Sequence, residues 1–271
     1  MREYHFSNAL NYTHEQLSKM HNASFHGYFV PIEMTAGMSA DFWRINQIDA
    51  NCSVVMLDQD ETFVGFARMG TRGRRGWCGG FGIVPEYRGS GASRLLAEQM
   101  VLVARSFGLE MLQLEVLTQN VLALKLYKNA GFTIQRRLTG LEIAAANLPQ
   151  GPLAPLENVP FSDFLPRLVR GVRPYWGYEP ASLLAMRLET FILHGGSGGL
   201  VVQRANGNVR VIATAGLNEL TDQELAAALR YIVGDAHTIQ VYNEPDDTLL
   251  IRYIRLGFTE IFSQHEMFLT L

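Results

Sequence analysis

The sequence predicts an α+β fold that is built twice, with a mixed, mainly antiparallel sheet flanked by helices in each half. In the first half, apolar and polar residues alternate as in strands, then the apolar residues take the spacing of a helix, and later the strand-like alternation returns. Residues 147–160, with four prolines, then interrupt all periodicity, which is typical of a linker. After this segment, the pattern of residues 124–132 recurs at 250–258, at a constant offset of 126.

The elements of the first half are predicted from hydrophobic spacing and breaker residues. Amphipathic helical segments between residues 10 and 50 are expected to be broken at Gly27, Pro31 and Gly37. Leu96, Met100 and Val103 fall on one face of a helix that stops at Gly108. A shorter helix covers 121–130. The predicted strands are 53–57, 62–69, 77–84, 111–116 and 132–143.

The second half partly repeats this order. Its predicted elements are a helix over about 179–193, a hairpin of 200–204 with 209–212, and a helix that reaches Val233. The hairpin turns through Asn206-Gly207, a pair that favours tight two-residue turns. Thr221 and Glu224 have the spacing of a capping box at the start of the last helix.

Composition excludes several classes of function. The net charge of −3 gives no basic face for nucleic acid. The two cysteines, Cys52 and Cys78, have no metal-ligand spacing, so no metal site is predicted and a reducing compartment fits. No signal peptide and no membrane span are expected. We therefore predict a cytoplasmic protein, and a homodimer is left open.

A glycine-rich loop, Arg88-Gly89-Ser90-Gly91-Ala92-Ser93, lies between a predicted strand and a predicted helix. Backbone N–H groups at such a helix start can bind a pyrophosphate. An ordinary tight turn is the alternative. Because the strand before the loop is expected to be antiparallel, the sequence argues against a dinucleotide-binding βαβ unit.

A second motif follows about 25 residues later. Glu115-Val116-Leu117-Thr118-Gln119-Asn120 is followed by Ala123, Leu126, Tyr127, Gly131 and Phe132. Together with the loop, this stretch resembles the GNAT acetyltransferase superfamily, over about residues 50–142. The match is closest to the branch that acetylates the N-termini of ribosomal proteins. Ser93 departs from the family pattern, which prefers Gly or Ala there.

The resemblance implies an N-acetyltransferase that moves an acetyl group from acetyl-CoA to a primary amine, either a small molecule or a peptide N-terminus. Tyr127 would protonate the departing thiolate, and Glu115 would accept the proton of the amine. Ile83, Val84 and Asn120 would contact the pantetheine arm. The residues that would bind the diphosphate through backbone amides are Gly89, Ser90, Gly91, Ala92, Ser93 and Arg94, with Arg88 bracing the loop.

Each of these residues also has a purely structural interpretation. Tyr127 could be a core aromatic residue, and Glu115 a solvent-facing strand residue. Asn120 could act only as a helix N-cap, a role that is compatible with ligand binding. For the chain as a whole, the alternative is a non-catalytic protein that binds acyl-CoA or a partner.

The predicted domains are a catalytic GNAT domain over 1–142, a linker over 143–160 and a degenerate GNAT-like domain over 161–271. In the second copy the loop has no clustered glycines, and Glu219 and Asp222 would repel a diphosphate. We therefore expect this copy to keep the fold without the coenzyme site. The acceptor is expected to contact residues 25–34, which are aromatic and include Glu33.

Overall fold

The computed structural model describes residues 3–29, 33–154, 156–168, 173–193, 196, 198–217 and 220–271. The helices are α1 (His14–Ser24), α2 (Ala36–Asn46), α3 (Ala92–Ser106), α4 (Val121–Asn129), α5 (Phe161–Phe164), α6 (Pro180–Leu183), α7 (Asp222–Val233) and α8 (Thr248–Arg255). No helix within these ranges is both long and apolar enough to cross a membrane.

The strands alternate with these helices in both halves of the chain. They are β1 (Tyr4–Asn8), β2 (Val54–Asp58), β3 (Phe63–Arg72), β4 (Arg75–Ile83), β5 (Met111–Leu117), β6 (Thr133–Ala144), β7 (Leu156–Asn158), β8 (Glu189–Leu193), β9 (Gly199–Ala205), β10 (Asn208–Ala215), β11 (Thr238–Pro245) and β12 (Thr259–Thr270). Most neighbouring strands are antiparallel, which confirms the predicted α+β class.

Packing divides the chain into two units. The first contains residues 1–135 and 265–271, and the second contains residues 136–264. In the first unit the strand order is β1-β2-β3-β4-β5, with the end of β12 beside β5; in the second it is β6-β11-β10-β9-β8-β7. The domain bounds at 142/143 and 160/161 stay a prediction.

The first unit buries one sheet face against α3 and α4, where Leu96, Met100 and Leu112 are fully buried. The spacing of Leu96 and Met100 predicted this helix face, and Gly108 ends the helix with a φ of 68°, as expected for a left-handed C-terminal turn. On the opposite face, Leu17 of α1 and Trp43 of α2 pack against the sheet. Both faces of this sheet are therefore covered by helices.

The repeat seen in the sequence is also a repeat in local structure. Phe132 N–H donates to Tyr127 O at 3.0 Å, and Phe258 N–H donates to Tyr253 O at 3.1 Å. The intervening glycines, Gly131 and Gly257, both have a φ of 96°. Only glycine adopts this conformation readily, so the same backbone requirement explains the shared Gly-Phe pair.

Each unit contains a strand segment that comes from the other copy of the repeat. Residues 265–271 follow Gly257 in sequence but belong to the first unit, and the part of β6 from residue 136 follows Gly131 but belongs to the second. In the first unit, Thr133 Oγ1 donates to Phe268 O at 3.4 Å; in the second, Thr259 Oγ1 donates to Glu142 O at 3.4 Å. The two bonds are related by the same offset of 126 at both ends. The final segments of β6 and β12 are thus exchanged between the two copies.

Two predictions of secondary structure are wrong, and one segment holds more structure than expected. Residues 179–193 do not form one helix: α6 is short, and Thr190-Phe191-Ile192 lie in β8, because β-branched and aromatic side chains fit a half-buried strand. Gly37 lies inside α2 and does not break it. Part of the segment predicted to be a linker is ordered, since β7 pairs with β8 and Leu156 joins the core of the second unit.

The predicted hairpin and capping box of the second half are confirmed. Asn206 and Gly207 both have positive φ values, 53° and 74°, between β9 and β10, as a type I′ turn requires. Thr221 Oγ1 accepts from Glu224 N–H, and the Glu224 carboxylate accepts from Thr221 N–H at 2.7 Å. Both features are local, which is why sequence spacing was sufficient to predict them.

Candidate active site

An opening between β4 and β5 is the central feature of the first unit. The two strands pair in parallel only from Arg75↔Met111 to Cys78↔Leu114, whereas β4 continues to Ile83 and β5 to Leu117. The strands therefore separate beyond Cys78. The strand before the loop is antiparallel, as predicted, only towards β3, because β4-α3-β5 is a parallel crossover. Strand direction therefore gives no ground for excluding a dinucleotide-binding βαβ unit.

A β-bulge lies where the pairing with β5 ends. Arg68 pairs with Gly80 and Met69 with Cys78, so Gly79 is the extra residue of β4. A Cβ atom on Gly79 would lie 2.2 Å from the Trp77 ring, which leaves no room for a side chain. The Gly-Gly pair inside a strand pattern is a known signal for such a bulge, and it was overlooked in the sequence.

The backbone of β4 beyond the bulge faces the opening. Val84 N–H donates to Val64 O at 2.9 Å; because polar groups alternate along an antiparallel pair, the N–H of Ile83 points away from β3 and into the opening. Ile83 O accepts from Arg88 Nε at 3.0 Å. Of the two predicted pantetheine contacts at the end of β4, Ile83 therefore directs its N–H into the opening, whereas Val84 uses its N–H within the sheet.

The predicted diphosphate loop leads directly into α3. Gly91 is the N-cap residue and has a φ of 91°, and Gly89 has a φ of 75°. Gly91 has no side chain to cap this 15-residue helix; of the first-turn amides, Ala92 N–H donates to Ser90 Oγ at 3.4 Å and Arg94 N–H to Gly91 O at 3.1 Å. These amides lie at the positive end of the helix dipole. Ser90 Oγ donates to Tyr87 O at 2.6 Å, which fixes the turn. The loop thus has the geometry of an anion site.

The two arginines of the loop direct their side chains away from its amides. Arg94 pairs with Glu98 at 2.8 Å on the exposed surface of α3. Arg88 donates to three main-chain carbonyls: Ile83 O at 3.0 Å, Ser24 O at 3.0 Å and His26 O at 2.9 Å. The main chain, together with the helix dipole, is therefore what this loop offers to a diphosphate.

Tyr127 lies on α4 and is buried, with 6% of its surface exposed. Its ring contacts the ring of Phe81 edge-on at 5.7 Å. Because Phe81 belongs to the part of β4 that has separated from β5, Tyr127 lies across the opening. Burial, with the nearby groups of Cys78 and Tyr28, raises the pKa of Tyr127 well above 10, so the phenol keeps its proton at neutral pH.

Asn120 forms the junction between β5 and α4. Its side-chain oxygen accepts from Ala123 N–H at 3.1 Å, which is an N-cap bond. It also hydrogen-bonds the phenol of Tyr28. Burial raises the pKa of Tyr28, and this bond offsets part of the rise. Tyr28 lies in the segment predicted to contact the acceptor, but nothing in its spacing indicates a contact with residue 120.

Glu115 lies on β5 at the level where the opening begins. Trp77 Nε1 donates to Glu115 Oε2 at 2.8 Å, which fixes the orientation of the carboxylate. Burial is the main cause that raises the pKa of Cys78 to about 12, and the Glu115 charge adds to it. Cys78 is thus an electrostatic neighbour of both Glu115 and Tyr127. The thiol is held protonated and does not act as a nucleophile.

Arg68 is a buried cation at the bulge, with only 3% of its surface exposed. Its guanidinium lies over Phe42 at 4.5 Å and Phe66 at 5.2 Å, and it donates to Gly79 O at 3.4 Å. Its burial could not be predicted from the sequence, because an arginine in a strand is usually exposed. It holds the bulge in place beside the opening.

A cavity of about 550 Å³ lies next to this opening rather than inside it. Its lining residues are Asn22, Ala23, His26, Thr62, Phe63, Val84, Pro85, Glu86 and Tyr87. The cavity shares Val84 with the predicted coenzyme contacts but includes neither Glu115 nor Tyr127. The residues expected to contact the acceptor are only partly described, since 30–32 lie outside the described residues.

The corresponding place in the second unit is filled by its own side chains. β10 and β11 also pair in parallel for four residues, ending at Val211↔Val241. At the start of α7, however, Arg252 Nε donates to Asp222 Oδ1 at 2.9 Å, and its Nη1 donates to Leu217 O. Glu219, which was also expected to repel a diphosphate, lies outside the described residues.

Comparison with known proteins gives two findings. A protein-family model described as the Acetyltransferase (GNAT) family matches residues 15–132, which covers both predicted motifs. The search of curated proteins found no match.

Solved structures match over the whole chain. A GCN5-related N-acetyltransferase from Sphaerobacter thermophilus has a TM-score of 0.72 and 13% identity, covering 98% of this chain and 95% of that one. A tandem GNAT protein from the clavulanic acid biosynthesis pathway has a TM-score of 0.68 and 13% identity, covering 100% and 98%. A putative acetyltransferase from Pyrococcus horikoshii has a TM-score of 0.67 and 14% identity, covering 99% and 89%. The chain therefore has a tandem GNAT fold.

Proposed function

We propose that the first unit is an N-acetyltransferase that moves the acetyl group of acetyl-CoA to a primary amine by direct attack. One observation supports this more than any other. The opening between β4 and β5 has the glycine N-cap of α3 at one end, and Glu115 and Tyr127 beside its narrow part. A diphosphate at the helix start would direct a pantetheine arm along this opening.

Direct attack of an amine on a thioester requires three contributions from the protein. A base must accept the amine proton, and we assign that role to Glu115. A hydrogen-bond donor must stabilise the oxyanion, and backbone N–H groups of β4 near Ile83 are available for it. An acid must protonate the thiolate, and the protonated phenol of Tyr127 can do so. Acid–base assistance of this kind increases rates by about 10²–10⁴.

Release of free thiol from acetyl-CoA over a panel of primary amines tests this proposal. The panel should contain small amines and short peptides with free N-termini, because the sequence forces neither choice of acceptor. Turnover that depends on the amine would support the proposal. Binding of acetyl-CoA without transfer to any amine would instead favour the alternative, a non-catalytic protein that binds acyl-CoA. Acyl-chain preference can be read from the same assay.

Replacing Glu115 with Gln is expected to lower kcat/KM about 10²-fold, because the amide keeps the shape but cannot accept a proton. The difference in kcat/KM between Glu115→Gln and the unmodified protein should become smaller as pH rises, since a larger fraction of the amine is then already neutral. The matched control is Glu110→Gln, which removes an exposed carboxylate paired with Arg74, just before β5. Equal activity of Glu115→Gln and the unmodified protein would exclude Glu115 as the base.

We further propose that the full chain binds one acetyl-CoA, in the first unit. Ser93→Glu should raise the Kd for acetyl-CoA at least about 100-fold by isothermal titration, because a carboxylate would occupy the first turn of α3 and repel the diphosphate. The fold should tolerate it, since acidic residues stabilise helix starts. Gln99→Glu adds the same charge in the middle of α3 and serves as control. Two bound molecules per chain would contradict the proposal.

A further inference from the structure

Arg88 connects two segments that are far apart in sequence. It lies at the start of the diphosphate loop, and its Nη2 donates to Ser24 O at 3.0 Å and to His26 O at 2.9 Å, 64 and 62 residues earlier. Its Nε donates to Ile83 O at 3.0 Å. One planar guanidinium thereby joins the loop, the end of β4 and the end of α1, which a lysine could not do with the same geometry.

Ser24 is the last residue of α1 and His26 lies in the turn just after it, where main-chain acceptors lack helical partners and the helix dipole is negative. This end packs tightly on β4: a Cβ atom on Gly82 would lie 2.7 Å from the Ser24 side chain and 3.4 Å from the Phe25 ring. Arg88 therefore donates hydrogen bonds to carbonyl groups at the end of α1, at the point where this helix end contacts β4.

From this anchored end, a short aromatic segment extends towards the catalytic residues. The ring of Tyr28 contacts the rings of Phe25 at 5.3 Å and Phe29 at 5.4 Å. Tyr28 N–H donates to Phe25 O at 3.0 Å, and the Tyr28 phenol reaches Asn120 and lies near Tyr127. We call residues 24–29 the aromatic wall. It is held by Arg88 at one end and contacts Asn120 at the other.

We propose that Arg88 is a positioning residue that couples coenzyme binding to acceptor binding, by holding the aromatic wall in place when the loop is formed around the diphosphate. This inference rests on the proposed function. Bound coenzyme reduces the conformational freedom of the diphosphate loop and so fixes the Arg88 side chain. Arg88 in turn fixes the aromatic wall, against which the amine binds. Because such coupling is reciprocal, a bound amine analogue should also tighten coenzyme binding.

Two variants and a control test the coupling by hydrogen–deuterium exchange of residues 24–29 in the full chain. In the unmodified protein, acetyl-CoA should slow exchange in the wall. In Arg88→Ala and Arg88→Lys, exchange should be faster without ligand, and acetyl-CoA should no longer slow it. Arg105→Ala removes an exposed cation from the last turn of α3 and should behave like the unmodified protein.

Kinetics distinguish positioning from direct coenzyme binding. Arg88→Lys should raise the KM for the amine about tenfold, the equivalent of about one charged hydrogen bond, while the Kd for acetyl-CoA changes less than about threefold. A higher Kd for acetyl-CoA with an unchanged KM for the amine would overturn the inference. Identical hydrogen–deuterium exchange of the aromatic wall in all four proteins would overturn it as well. If the unmodified protein failed to bind acetyl-CoA, the proposed function would fail. Hydrogen–deuterium exchange of residues 24–29 in the ligand-free variants would still decide whether Arg88 holds the aromatic wall.

Discussion

Tyr127→Phe is expected to lower kcat about 10²-fold while leaving the Kd for acetyl-CoA within about threefold. The substitution removes only the hydroxyl, and the ring contacts with Phe81 and Phe132 can persist. Without the phenol, thiolate must leave unprotonated or take its proton from water, and the lost assistance is of the size that general acids provide. Steady-state turnover and isothermal titration with acetyl-CoA measure the two effects separately.

The matched control is Tyr253→Phe, which makes the same change at the corresponding position of the second copy and should leave turnover unchanged. The pH profile gives a further check. Because the pKa of Tyr127 is raised well above 10 by burial, its proton is retained below that pH, and kcat should show no descending limb from this group below about pH 10. Undiminished turnover in Tyr127→Phe would remove the phenol from the mechanism and leave it as a core residue.

Deleting residues 265–271 is expected to unfold the first unit, although the deletion lies at the opposite end of the sequence. Met267 is completely buried in the core formed by α3, α4 and the sheet, and Leu271 N–H donates to Glu110 O at 2.9 Å. Loss of a buried methionine alone costs about 2–5 kcal/mol, and the strand pairing is lost as well. Total stabilities of 5–15 kcal/mol are typical of domains, so little would remain.

Thermal unfolding followed by circular dichroism, with acetyl-CoA titration of the truncated chain, measures this effect. Met267→Ala keeps the strand and should lower the melting temperature by several degrees, whereas Thr270→Ala changes an exposed side chain of the same strand and should not. A truncated chain that still binds acetyl-CoA with unchanged Kd would show that the exchanged strand is dispensable.

Local features of this fold could be predicted from sequence, because their causes are local. The helix ending at Gly108, the turn at Asn206-Gly207 and the capping box of Thr221 each depend on residues within a few positions of one another. The repeat at an offset of 126 predicted the tandem fold, since the same glycine conformation demands the same residue twice. The two motifs in the right order indicated the loop before α3, whereas the opening between β4 and β5 was not predicted.

Features that depend on tertiary contacts could not be predicted in the same way. The hydrogen bond from Trp77 to Glu115, the cation of Arg68 above Phe42, and the reach of Tyr28 to Asn120 all join residues from separate elements. The helix predicted over 179–193 failed for the same reason, because pairing with two neighbouring strands decided its conformation. Single-sequence patterns do not encode such partners.

The exchanged strand also affects the order in which the protein matures during synthesis. Domains of most proteins begin to fold on the ribosome, the N-terminal one first. Here the seven residues that complete the N-terminal unit are translated only after residues 136–264, which form the second unit. The first unit can therefore become complete only after the segment that forms the second unit has been synthesised, so a chain interrupted before residue 265 lacks part of the core of its first unit.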